Sequence, residues 1–163
     1  QANLNEAIGQ LRTRVIPELH HLKPEFSTAN VQFFEGDDGI EYVLKDILNT
    51  AGRYKEKSYS VFSSKPIRPH LYRPFPNYTA KRIQKGITVK VIAIGDGGED
   101  AELSERKWIR TEGPVDAAYI AIYPPKCAII SLASNNYPTA VVLDSREVAA
   151  AQQIVFDTLW RLL

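Results

Sequence analysis

Polar and cationic side chains that suit ligand binding cluster near predicted strand ends and in a proline-rich stretch, residues 65–77. Glu35 and Ser63 each end a run with β character. The stretch and the helix predicted after it supply Arg68, His70, Tyr72, Arg73, Tyr78 and Arg82. Ligands of open α/β sheets bind beyond the carboxyl ends of strands, and guanidinium groups suit anions. We therefore predict a small-molecule site here; a solvated loop with arginine stacked on tyrosine is the alternative.

Residues for metal or nucleophilic chemistry are few. The histidines are His20, His21 and His70, and the single cysteine is Cys127. This set predicts neither a metal site nor a cofactor, and no serine lies in a Gly-x-Ser-x-Gly elbow. Cys127 lies in an apolar run and is interpreted as a small buried hydrophobic residue. The glycines at 95, 97 and 98 are interpreted as a strand-exit turn, because they lack the spacing of a phosphate-binding loop.

Length and charge restrict the class of protein. The 163 residues suffice for one well-buried domain, and the formal charge of +1 does not favour a strongly basic nucleic-acid surface. No apolar run approaches the roughly 18 residues of a membrane span, so we expect a cytoplasmic protein with no membrane partner. The chain has no methionine and opens directly in a helical pattern, so we expect it to be part of a longer protein.

An amphipathic helix is predicted over residues 3–22. Its apolar positions follow spacings of three and four: Leu4, Ile8, Leu11, Val15, Leu19 and Leu22. The stripe is as narrow as a coiled-coil seam, and Pro17 predicts a kink or break. We assign residues 1–24 to a linker and dimerisation helix and residues 25–163 to the folded domain. An ordinary helix packed on its own domain is the alternative.

The remaining pattern predicts an α/β fold, with one mixed sheet covered by helices on both faces. Strands are predicted at 31–35, 58–62, 87–94, 108–110 and 140–143, and a hairpin at 117–131. Helices are predicted at 36–52, 78–85 and 145–162, an acidic helical turn at 99–106, and an extended or turning loop at 65–77. Asp144 or Ser145 is expected to cap the last helix. Its expected buried positions include Val148, Ile154, Val155, Leu159 and Leu162.

The segment from Ala117 to Trp160 resembles the C-terminal half of the phospholipase-D-like fold. That superfamily carries His-x-Lys-(four residues)-Asp before a hairpin and Gly-Ser-x-Asn after it. Here Ala117, Tyr119 and Pro124 stand at the histidine, lysine and aspartate positions, and Ser131-Leu-Ala-Ser134 replaces the second motif. The resemblance implies the fold without its catalytic chemistry. We include Tyr119 among the candidate ligand-binding residues.

The rest of the chain resembles the effector part of TrmB-like transcriptional regulators. The resemblance rests on the Val-Ile-Pro-Glu-Leu run at 15–19, the Phe-Phe-Glu-Gly-x-x-Gly-Ile run at 33–40 and the Phe-Asp-Thr-Leu-Trp run at 156–160. It implies a homodimer that senses an unknown small-molecule effector and binds DNA through a preceding helix-turn-helix domain. The family's maltose-type sugar-binding module is not evident. An interaction scaffold without a ligand and a phospholipase-D-type phosphodiesterase or nuclease remain as alternatives.

Overall fold

The computed structural model describes residues 2–15 and 30–163. Helix α1 (Ala2–Gln10) continues into a π-helical turn (Leu11–Val15), which confirms the predicted helix over this part. Leu4, Ile8 and Leu11 of the apolar stripe are exposed. The expected kink at Pro17 and the stripe positions Leu19 and Leu22 lie outside the described residues, as do two of the histidines.

A seven-stranded mixed sheet forms the centre of the domain, in the order β1-β7-β6-β5-β2-β3-β4. The strands are β1 (Asn30–Glu35), β2 (Ser58–Ser64), β3 (Thr88–Ile94), β4 (Ser104–Ile109), β5 (Ala118–Tyr123), β6 (Lys126–Ala133) and β7 (Tyr137–Asp144). Strands β2, β3 and β4 are parallel, and the other pairings are antiparallel. The predicted hairpin is β5–β6. The sheet therefore combines a parallel half with an antiparallel half.

Helices cover both faces of this sheet, as predicted. One face carries α2 (Gly36–Ala51), α3 (Arg68–Tyr72) and α4 (Tyr78–Gln84), and the other carries α5 (Arg146–Leu162). Helix α2 buries Ile40, Val43 and Leu44 because apolar residues recur along it at helical spacing. In the described residues, no helix is both long and apolar enough to cross a membrane.

The proline-rich stretch is more regular than predicted. Residues Lys65–Ile67 form a 3₁₀ turn that leads directly into α3, and Pro66 and Pro69 lie in the first turns of these two elements. A proline is tolerated there because the N–H that it lacks would have no helical partner. Ile67 and Leu71 are buried and hold the segment against the core. The expectation of an extended or turning loop was wrong for residues 65–72.

The prediction of an acidic helical turn at 99–106 was also wrong. Strand β4 begins at Ser104, four residues before the predicted short strand, and pairs in parallel with β3 from Val89↔Ser104 to Ile94↔Ile109. The local sequence is polar and acidic, and it does not favour a strand by itself. The exposed edge of β3 supplies the backbone partners that make an extended conformation favourable.

Helix α5 has the predicted bounds but a different buried face. The backbone N–H of Val148 donates to Ser145 Oγ at 3.3 Å, so Ser145 is the N-cap. Ala149 and Phe156 are fully buried, with Cys127 in the same cluster as predicted. Val148, Ile154, Val155 and Leu162 are exposed, which corrects the predicted core face, and Leu159 is half-buried. The helix contacts the sheet along a narrow strip of its surface, and the apolar residues on either side of that strip remain exposed to solvent.

Phe156 therefore anchors α5, and Phe156→Ala should lower the free energy of unfolding by about 3–5 kcal/mol, as large-to-small changes in a core do. Its ring packs edge-on against Phe62 at 5.2 Å between centroids. Ile154→Ala, on the same helix at a side chain that is 67% exposed, is the matched control and should cost less than about 1 kcal/mol. Urea unfolding of the two variants measures both. Equal losses would contradict this packing.

Candidate ligand-binding site

A polar cavity of about 80 Å³ lies between the sheet and the helices α3 and α4. Its floor comes from alternate residues of β2, β3, β4 and β5, and its roof from the two helices. The polar residues of its lining are Tyr59, Ser63, Arg68, Tyr72, Tyr78, Thr79, Arg82, Glu99, Ser104, Arg106 and Tyr119. The cavity is much smaller than a typical drug-sized site of roughly 300–1,000 Å³, so it suits a small group or ion.

Most of the ligand-binding residues predicted from the sequence meet at this cavity. Those that line it are Ser63, Arg68, Tyr72, Arg82 and Tyr119. Glu35 does not, because it ends the edge strand β1 and precedes α2. Arg73 does not either: its exposed guanidinium donates to Asp37 at 2.8 and 3.0 Å, and that contact lowers the pKa of the carboxyl. Ligand binding by any of these residues stays a prediction.

Three buried tyrosines form the inner wall of the cavity. The hydroxyls of Tyr59 and Tyr78 are 2.8 Å apart, and Tyr119 lines the cavity beside them. Burial is the largest effect on each phenol. It raises the pKa of Tyr59 to about 12 and those of Tyr78 and Tyr119 well above the ordinary value of 10. All three are therefore neutral hydroxyl groups at physiological pH.

Arg82 also lines the cavity, and its side chain holds neighbouring segments of the backbone together. Its guanidinium is buried and donates to three backbone carbonyls, those of Ile87 at 2.8 Å, Leu103 at 2.9 Å and Glu102 at 2.8 Å. These carbonyls bring together the turn after α4 and the start of β4. Because these hydrogen bonds go to the backbone, Arg82 acts on the cavity mainly through its positive charge.

Arg106 is the main cavity residue that sequence reasoning missed. Its side chain is 11% exposed and projects from β4. Burial, then the charge of Arg68, lowers its pKa. Arg106 was missed because residues 99–106 were predicted to form a helical turn instead of a strand. The sequence offers no strand signal that could have found it, because Ser104, Glu105, Arg106 and Lys107 are all polar and do not alternate with apolar residues.

The positions of the replaced catalytic motif lie beside this cavity. Ala117 directly precedes β5, and Ala118 pairs with Ser131 of β6. Ala117 and Ser131 line a broad open groove of about 700 Å³ together with His70. The Nδ1 atom of His70 is buried and has no hydrogen-bond partner in the described part of the chain. Tyr119, at the lysine position, points instead into the tyrosine-lined cavity.

Comparison with solved structures identifies the fold as phospholipase-D-like. No protein-family model matches the sequence, and no curated protein sequence matches it. The structure is similar to Nuc, a phospholipase D family member from Salmonella typhimurium, with a TM-score of 0.54, 15% identity, and coverage of 82% of this chain and 95% of Nuc. The structure is also similar to NucT from Helicobacter pylori, with a TM-score of 0.50, 12% identity, and coverage of 82% of this chain and 97% of NucT.

TrmBL2, an archaeal chromatin protein, is a further structural neighbour. It matches with a TM-score of 0.49 and 11% identity over 98% of this chain. This chain spans 63% of the length of TrmBL2.

The raised pKa values make the stability of the domain fall at high pH. Unfolded tyrosines lose their protons near pH 10, whereas folded Tyr59 keeps its proton to about pH 12. The folded state therefore binds more protons between these values, and the free energy of unfolding should decrease as pH rises from 10 to 12. Urea unfolding across this range measures the slope, and Tyr59→Phe should make it shallower. A pH-independent free energy of unfolding would contradict the burial of these phenols.

Proposed function

We propose that residues 25–163 form the ligand-sensing domain of a TrmB-like DNA-binding transcriptional regulator, and that residues 1–24 form its linker and dimerisation helix. The observation that carries the proposal is the small polar cavity, in which cationic and phenolic side chains converge. It lies beside the positions where the phospholipase D motif would provide catalysis. In this proposal the cavity takes over from a catalytic centre as the functional site of the fold, since one fold hosts many functions.

A non-catalytic role follows from the chemistry of the replaced residues. Phosphohistidine chemistry needs a nucleophilic histidine with a paired lysine. Ala117 supplies no nucleophile. Tyr119 supplies no positive charge, because a phenol is neutral when it carries its proton and negative when it does not. The two side chains at the centre of the motif therefore cannot perform its reaction.

One observation favours a phosphodiesterase as the second candidate function. His70 places a buried, unpartnered Nδ1 atom at the groove beside Ala117. It comes from α3 rather than from β5, and the described lining of the groove contains no lysine to pair with it. A histidine without that partner lacks the charge stabilisation that phosphoryl transfer requires. We therefore favour the sensor over the enzyme.

Signalling requires that ligand binding in the cavity be coupled to the pairing of the first helices of two protomers. A ligand shifts the geometry of a dimer only if it binds one of two states more tightly. The proposal assigns DNA binding to a winged helix-turn-helix domain that precedes this chain in the whole protein. The net charge of +1 on this chain fits that division of labour, because DNA contact needs a concentrated positive surface.

Dimerisation through the first helix is tested on its apolar stripe. The double variant Leu4→Lys/Ile8→Lys places two charges on exposed stripe positions, so it should abolish pairing without affecting the core. The control is Asn3→Lys/Gln10→Lys, which adds the same charge away from the stripe on the same helix. Light scattering across a protein concentration series gives the mass. We expect a dimer for the wild type and the control and a monomer for the stripe variant; a wild-type monomer at every concentration would overturn this part of the proposal.

A further inference from the structure

Arg106 is a partly buried cation whose ion pair within the described residues is long and largely exposed. Its Nε atom is buried and has no hydrogen-bond partner among the described residues. The nearest carboxylate among the described residues is that of Asp100, whose Oδ1 atom lies 4.0 Å from Nε, beyond hydrogen-bonding distance, on a side chain that is 61% exposed. A buried charged donor that is left unsatisfied is costly, so native structures pair such groups. The Nε–H of Arg106 is therefore a donor that a bound anion could satisfy.

The backbone at Gly98 packs against the guanidinium of Arg106. Gly98 has a φ of +92°, and a Cβ atom built there would lie 2.7 Å from Arg106 Nη1. A backbone with this φ favours glycine, which also leaves room for the guanidinium beside it.

Arg68 brings a second positive charge to the same cavity. Its guanidinium lies 5.9 Å from the centre of the Tyr72 ring, and it is close enough to Arg106 for the two charges to repel each other. Glu99 lines the cavity and Asp100 lies beside Arg106, and both are exposed, so water screens them. Two cations that face one small space with neutral phenols around them form an anion-binding arrangement.

We propose that this cavity binds a single phosphate group, either as free inorganic phosphate or as the phosphate of a small phosphorylated molecule. Arg106 and Arg68 are the charged donors, and hydroxyls of Ser63 and Tyr119 line the same space. The inference rests on the proposed sensor function and names its ligand class.

Charge and size both favour phosphate over a carboxylate. A phosphate monoester carries about −1.5 to −2 at pH 7, so it compensates more of the positive charge of the arginines that line the cavity than a carboxylate with its single negative charge. A cavity of about 80 Å³ accommodates on the order of five waters, which is enough for one phosphate but not for a sugar ring as well. The remainder of a phosphorylated molecule would therefore lie at the opening.

Isothermal titration calorimetry with inorganic phosphate, at constant ionic strength set with chloride, tests the assignment. Arg106→Met and Arg68→Met should each weaken phosphate binding at least tenfold. Arg110→Met, at an exposed arginine just beyond β4, is the matched control and should bind within twofold of the wild type. A parallel titration with glycerol 3-phosphate distinguishes the two sources, because tighter binding of the ester identifies a phosphorylated molecule as the ligand. No binding of either compound, or equal binding by Arg106→Met, would overturn the inference.

The melting temperature in phosphate-free buffer separates a binding role from a structural one. Arg106→Met removes one of two repelling cations, so it should melt at or above the wild-type temperature. A lower melting temperature with unchanged phosphate binding would show that Arg106 is only structural, which overturns the inference. If an uncharged metabolite stabilises the wild type and Arg106→Met equally, the sensor proposal survives and the phosphate assignment fails.

Discussion

The buried guanidinium of Arg82 fixes the relation between the helical layer and the parallel half of the sheet. A charge at this depth is costly unless it is hydrogen-bonded, and here three backbone carbonyls accept hydrogen bonds from the guanidinium. Two of those carbonyls belong to residues 102 and 103, directly before β4. The contact therefore sets where β4 begins and places Ser104 and Arg106 on the cavity side. Tyr78 lies one helical turn before Arg82 on α4, so the same helix face also positions the tyrosine cluster.

The parts of the fold that the sequence predicted are those with strong local patterns. The β-branched run of β3, the hairpin of β5 and β6, and the helical period of α2 each identify their element from neighbouring residues alone. Strand β4 could not be found in this way, because its extended conformation depends on pairing with β3 and on the distant Arg82. The buried face of α5 failed for a similar reason: it depends on how the helix crosses the sheet, not on its own sequence.

The residues of the candidate site divide in the same way, into those that local sequence identifies and those that depend on long-range pairing. Ser63, Arg68 and Tyr72 follow directly from strand β2 and the proline-rich segment, so chain order brings them together. Arg106 comes from β4 and enters the site only through long-range strand pairing. Arg73 is close to Arg68 in sequence, yet it points towards Asp37 at the surface, and the direction of one side chain on a short helix is not readable from spacing.

The phospholipase-D-like fold and the residues at its motif positions lead to different functional expectations, and the proposed function follows the residues. The fold is compatible with phosphodiester chemistry, but Ala117 and Tyr119 lack the groups that this chemistry uses. What remains is a small cavity with positive charge, which can bind an anion without reacting with it. The sensor account depends on that cavity taking up phosphate through Arg106 and Arg68.

Nuclear magnetic resonance of the arginine Nε–Hε groups tests this directly in the wild-type chain. The account predicts that the Arg106 and Arg68 resonances shift and saturate as inorganic phosphate is added, while that of exposed Arg110 stays in place. Arginine resonances that all shift weakly and without saturation, or an Arg106 resonance that does not move, would contradict it.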